Sequence, residues 1–142
     1  MPIGPVPADL HAFLAAPRLA VVASLRDDGS PVTAACWFRF DGSHVLLSVA
    51  ADGQRLRHVR RDPRVALTVL GEREFTHLSV LGRVVGITQD SDFAGVDEFA
   101  RHYTGRDYPN HDVPGYVLRV EIERWHLFGD PASDEPPAGP RP

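Results

Sequence analysis

The chain has 142 residues, 43% of them hydrophobic and 24% charged, with a formal net charge of −4. That is the profile of an ordinary globular protein long enough to build its own core. One cysteine, Cys36, rules out an internal disulfide, and Met1-Pro2-Ile3-Gly4-Pro5 lacks the basic and apolar regions of a signal peptide. No apolar run reaches the ~18 residues of a membrane helix, so the expectation is a soluble, cytoplasmic protein.

All fifteen basic residues are arginine, which excludes lysine Schiff-base or lysine general-base chemistry. In chain order, Ala8 to Ala16 reads as a short helix with Leu10, Phe13 and Leu14 on one face, ended by Pro17. Leu19 to Arg26 is a buried strand and Asp27-Asp28-Gly29-Ser30-Pro31 a turn. Val32 to Phe40 is expected as the returning strand, and His44 to Ala51, after the Asp41-Gly42-Ser43 turn, as the third strand of a meander. Gln54 to Arg61 fits one or two helical turns, stopped by Asp62-Pro63, and Arg64 to Leu70 is the fourth strand. Phe75 to Thr88 is a longer strand with Gly82 and Gly86 as bend points. Ser91 to Tyr103 reads as a helix capped by Ser91 or Asp92, and Thr104 to Pro114 as a polar loop. Tyr116 to Phe128 alternates as the last strand. The expected architecture is mainly β with two or three short helices: a six-stranded antiparallel barrel or curled sheet. One domain is expected over residues 1–130, followed by a disordered Pro-rich tail over 131–142.

Arg55 to Arg64 holds five arginines and one aspartate, a local charge of +4, while the remaining ten arginines face eighteen carboxylates. General basicity cannot explain such a knot, so it points to a specific anion such as a phosphate. Arg57, Arg60, Arg61 and Arg64 recur at three- and four-residue steps, which would place several on one side. The bland alternative is a solvated surface helix balanced by nearby acids. Nucleic-acid binding fits poorly, since the chain is acidic overall and the knot lacks interleaved aromatics.

Alternation puts Cys36, Phe38 and Phe40 on one face and Trp37 with Arg39 on the other, making Trp37 a candidate ligand-lining or subunit-interface wall, or else a satellite core residue. The seven histidines show no metal-ligand spacing, so no metal is expected. Cys36 reads as a small buried apolar residue. No P-loop, Rossmann or GxSxG pattern is present. Composition and spacing stop at an anion-binding small β-barrel.

The order of motifs goes further. Leu25-Arg26-Asp27-Asp28-Gly29-Ser30-Pro31, Cys36-Trp37-Phe38 and Asp41-Gly42 come first, then Arg55 to Val65, Val80-Leu81-Gly82-Arg83-Val84 and Tyr103-Thr104-Gly105. This set resembles the pyridoxamine 5′-phosphate oxidase-like split β-barrels, the FMN-binding-like fold, and within them the group using the deazaflavin coenzyme F420. The resemblance implies a homodimer with the cofactor at the subunit interface. It implies that Arg55 and Arg57, helped by Arg60 or Arg61, hold the cofactor phosphate, and that Thr33, Ala34, Ala35, Cys36 and Trp37 contact the ring. The family often has lysine where Arg55 stands and asparagine where His58 stands. Vitamin B6 oxidases of the family carry Arg-x-x-Leu-Lys and Arg-Leu-x-Pro segments that this chain lacks, so that activity is not expected.

The implied activity is hydride transfer from reduced F420 to a small electron-poor acceptor. Tyr103 and His77 are candidate proton donors beside solvent. The alternatives are an FMN-dependent reductase or oxidase of the same fold, a non-enzymatic cofactor carrier or sensor, and a haem- or tetrapyrrole-binding relative.

Overall fold

The computed structural model describes residues 1–72 and 75–131. The tail expected to be disordered, beyond Pro131, lies outside the described residues. Among these, seven strands form one antiparallel sheet in the order β2-β1-β5-β6-β7-β4-β3. The strands are β1 (Ala20–Leu25), β2 (Pro31–Cys36), β3 (Arg39–Phe40), β4 (His44–Val49), β5 (Arg64–Leu70), β6 (His77–Gln89) and β7 (Tyr116–Phe128). Three α-helices accompany them: α1 (His11–Ala15), which follows a 3-10 turn at Ala8–Leu10, α2 (Gln54–Arg61) and α3 (Ala94–Thr104). None is long and apolar enough to cross a membrane.

Seven strands replace the expected six because the segment read as one strand, Val32 to Phe40, is broken at Trp37-Phe38. β2 pairs with β1, whereas β3 pairs with β4. The expected meander fails with it, since β4 lies between β3 and β7 rather than beside β2. The break also shapes the molecule. β2 and β3 are opposite edges of the sheet, yet only Trp37 and Phe38 separate them in the chain. Three Cα steps reach at most ~11 Å, so the two edges must come together and the sheet must curl into a split barrel.

Strand alternation fills the interior with Val22, Val45, Leu47, Leu67, Val69, Leu78, Val80, Leu118 and Val120. Phe13 and Leu14 of α1 and Leu56 and Val59 of α2 join that core. β6 runs between β5 and β7, with register shifts at Leu81/Gly82 and Val84/Gly86. These are the bends the two glycines announce. At Gly82 a Cβ would lie 2.5 Å from the Glu121 carbonyl, so the close approach of β7 requires glycine there.

Candidate functional site

α2 follows β4 and lies against β1. It buries Leu56 and Val59, three residues apart on one face, and also His58. The Nδ1 of His58 is 2.9 Å from Ser24 Oγ of β1, a buried polar tether for the helix. With its apolar stripe inward, α2 fans its arginines in different directions. Arg55 turns toward β2, where its charge acts on the Cys36 thiol. Arg57 lines a shallow cleft with Arg26, Asp27, Asp28, Gln54 and His58. Arg60 lies over the Tyr116 ring, 5.0 Å from its centroid. Arg61 pairs with Asp27 at 2.8 Å and donates to the Leu25 carbonyl at 3.0 Å.

Arg64 does not share the helix. It starts β5 and pairs with Asp62 at 2.8 Å, and its hydrogen bonds hold the Asp62 carboxyl down at about 2. The expectation that several of Arg57, Arg60, Arg61 and Arg64 share one side therefore loses Arg64, while Arg57 and Arg61 both lie near Asp27. Among the described residues, Arg55, Arg57 and Arg60 have no carboxylate partner, Arg60 instead lying over the Tyr116 ring, whereas Arg61 is paired.

Thr33, Ala34 and Ala35 are exposed along β2, and Cys36 and Trp37 are half-buried. As an edge strand, β2 turns part of its backbone N–H and C=O groups away from the ladder. Burial raises the Cys36 thiol above its ordinary value, with Arg55 pulling the other way. The small exposed edge and a free guanidinium thus meet at Cys36.

Beyond Cys36 the chain crosses to β3. Trp37 stacks on Tyr103 of α3, with ring centroids 5.1 Å apart and planes 8° from parallel. The Tyr103 hydroxyl donates to the Arg18 carbonyl at 2.7 Å and accepts the Phe38 N–H at 3.1 Å. Burial raises its pKa. Its proton is committed to the backbone, so Tyr103 is a clamp on the barrel's split rather than a proton donor. His77 stacks on Phe128 and lines neither cleft.

A second, more enclosed cleft of about 600 Å³ lies between the end of β4, α3 and the segment 108–115, with Trp37 in its wall. Its apolar wall includes Trp37, Val96, Phe99, Tyr108 and Val113, and its carboxylates are Asp52, Asp90 and Asp112. Sequence reasoning missed Asp90. Its Oδ1 and Oδ2 accept the Gly95 and Val96 N–H groups, each at 2.8 Å, so it caps α3 from four residues upstream. Asp92 adds one bond to the Ala94 N–H at 3.1 Å, and Ser91 is not the cap. Only Asp92, then, does part of what was expected.

The loop after α3 is pinned back onto it. Asp97, 9% exposed, accepts the Tyr108 N–H at 2.9 Å and meets His111 Nε2 at 2.8 Å. The His111 hydrogen bond lowers the Asp97 pKa. The His111 ring also stacks on Phe93, with centroids 4.6 Å apart.

Residues 6–129 match the pyridoxamine 5′-phosphate oxidase family model, and the chain belongs to that family. No curated protein matches it significantly in sequence. Among solved structures, an F420 reductase superposes with a TM-score of 0.78 at 26% identity, covering 85% of this chain and 98% of its own. A conserved hypothetical protein of Mycobacterium tuberculosis gives 0.70 at 22% identity, covering 89% and 86%. HupZ of Group A Streptococcus gives 0.65 at 17% identity, covering 86% and 93%. The last two likenesses concern the fold alone.

Proposed function

We propose that the protein is an F420-dependent oxidoreductase that delivers hydride to a small electron-poor acceptor. The observation that carries this reading is Arg55 beside Cys36 at the exposed edge of β2, with Arg57 in the neighbouring cleft next to Arg26, both free of ion pairs among the described residues. Two guanidinium forks suit a phosphate, and a strand of small side chains lets a flat ring approach the backbone. The family match and the 26%-identical F420 reductase support it.

The donor set fits the cofactor. Arg55 and Arg57 would hold its phosphate, and Thr33 to Cys36 would face its ring. When bound in reduced form, the deazaflavin supplies the hydride. Trp37, braced by Tyr103, walls the ring side and helps exclude water. Arg61 serves the turn after β1 rather than the ligand.

A second copy of the chain completes the proposal. The outer sheet face carries the cross-strand rows Ala35–Val21–Thr68–Ser79 and Thr33–Ala23–Ala66–Leu81. Across these four strands neither row holds a charge or a fully buried residue, Leu81 being 43% exposed, and on β7 the rows end at His126 and Arg124. Uncharged, partly apolar faces of this kind mark interaction sites. Ala66→Arg is expected to shift the protein to monomer in sedimentation equilibrium.

The test of the cofactor is calorimetric titration with F420 and, separately, FMN. Micromolar or tighter F420 binding with FMN weaker supports the proposal, and the reverse order assigns a flavoprotein of the same fold. Binding without oxidation of reduced F420 across an acceptor panel would leave a carrier instead.

A further inference from the structure

We infer that the cleft beside α3 selects uncharged planar molecules and rejects anionic ones. This rests on reading that cleft, next to Trp37, as the place where the acceptor lies. Its lining contains three aspartates and neither arginine nor histidine. Only Gly53 and Gln54 separate Asp52, in this lining, from Arg55 on the cationic side, so the difference is one of placement and not of bulk charge.

An anion entering this cleft would look for the N-terminus of α3, the one built-in positive feature nearby. That position is taken, since Asp90 accepts both the Gly95 and Val96 N–H groups. The glycine is part of the arrangement: a Cβ on Gly95 would come within 3.0 Å of Asp90 Oδ1 and 2.9 Å of Val117 Cγ2. Three cations of α3 and the segments around it are also engaged. Arg39 pairs with Glu98, Arg101 with Asp107 at 3.1 Å, and His111 with Asp97.

What remains open to a ligand is apolar and flat. Trp37 is held against Tyr103, while Val96, Phe99 and Tyr108 supply the other walls. Exposed Asp52 and Asp112 add a repulsive field for any negative group. Selection against anions comes from this repulsion together with the filled helix terminus, and affinity for the ring comes from apolar burial.

The test compares two probes sharing a naphthalene ring, neutral 2-acetylnaphthalene and anionic naphthalene-2-sulfonate, by calorimetry at low salt. It uses wild type and Arg55→Ala/Arg57→Ala, the latter to remove the other anion site. The neutral probe is expected to bind at least ~10-fold more tightly in the double variant. Val113 is 72% exposed on the cleft rim, so Val113→Arg does not disturb the core. In the double-variant background it is expected to tighten sulfonate binding and cut the preference below about threefold. Equal binding of the two probes, binding of neither, or a preference unmoved by Val113→Arg would overturn the inference. F420 titration of wild type runs alongside. Its failure with the neutral preference intact removes the cofactor proposal alone, and its success without that preference removes this one alone.

Discussion

The two sides of Trp37 treat charge in opposite ways. On the α2 side, Arg55 and Arg57 have no carboxylate partner among the described residues, and β2 beside them is small and exposed. On the α3 side, Arg39, Arg101 and His111 are each paired, and the cleft lining holds three carboxylates. The formal net charge of −4 describes neither surface. What distinguishes them is which charges are left unpaired, because a free guanidinium is available to a ligand and a paired one is already engaged.

The largest expected effect breaks the α2 side. Arg55→Ala/Arg57→Ala is expected to weaken F420 binding at least ~100-fold, since each hydrogen bond to a charged group contributes about 1.5–3 kcal/mol. Arg61→Ala, whose guanidinium serves Asp27 and the Leu25 carbonyl, is expected to change it less than ~3-fold. Equal losses in calorimetry would erase the distinction between free and paired arginines.

Next comes the clamp between the sides. Tyr103→Phe deletes the hydroxyl that serves Arg18 and Phe38, leaving backbone groups unsatisfied. A loss of about 1–3 kcal/mol is expected in urea unfolding; unchanged stability would mean the split is held elsewhere.

A smaller effect concerns the α3 side in acid. The Asp97 pKa is lowered in the folded protein, mainly by His111. A lowered carboxyl contributes stability above its unfolded value of about 4 and loses it as pH falls through the folded value. Amide exchange at Tyr108 is expected to quicken below about pH 4 relative to the β-strands. Uniform protection across that range would contradict the pinning.

The smallest effect is chemical. With burial raising the Cys36 thiol, alkylation at pH 8 is expected to be slower than for a free cysteine. Arg55→Ala, which removes the opposing influence, is expected to slow it further. Faster alkylation in Arg55→Ala would separate the two groups.

Much of this was readable in the sequence. Tyr116–Phe128 and Arg64–Leu70 are the strands their alternation announces, and Gly82 and Gly86 mark the register shifts. The split was not readable, because Val32 to Phe40 keeps an unbroken strand pattern. What parts it is tertiary: the Tyr103 hydroxyl reaches Phe38 across 65 residues. The helix cap was misplaced for a related reason. Phe93 adopts a left-handed φ of 62°, so the α3 turn starts later and its N–H groups point back to Asp90 rather than Ser91. Asp62-Pro63 ends α2 and Arg64 opens β5 as the sequence indicates, so the three- and four-residue spacing of the arginines does not extend the helix face to Arg64. The candidate site was legible as a charge cluster. Which arginines remain free depends on partners such as Asp27 that only the fold brings near.

The most direct measurement is a backbone amide NMR map of the protein titrated with F420. The account predicts perturbations concentrated at residues 33–37 and 54–57. Perturbations centred instead on residues 105–113, with the α2 amides unmoved, would contradict it.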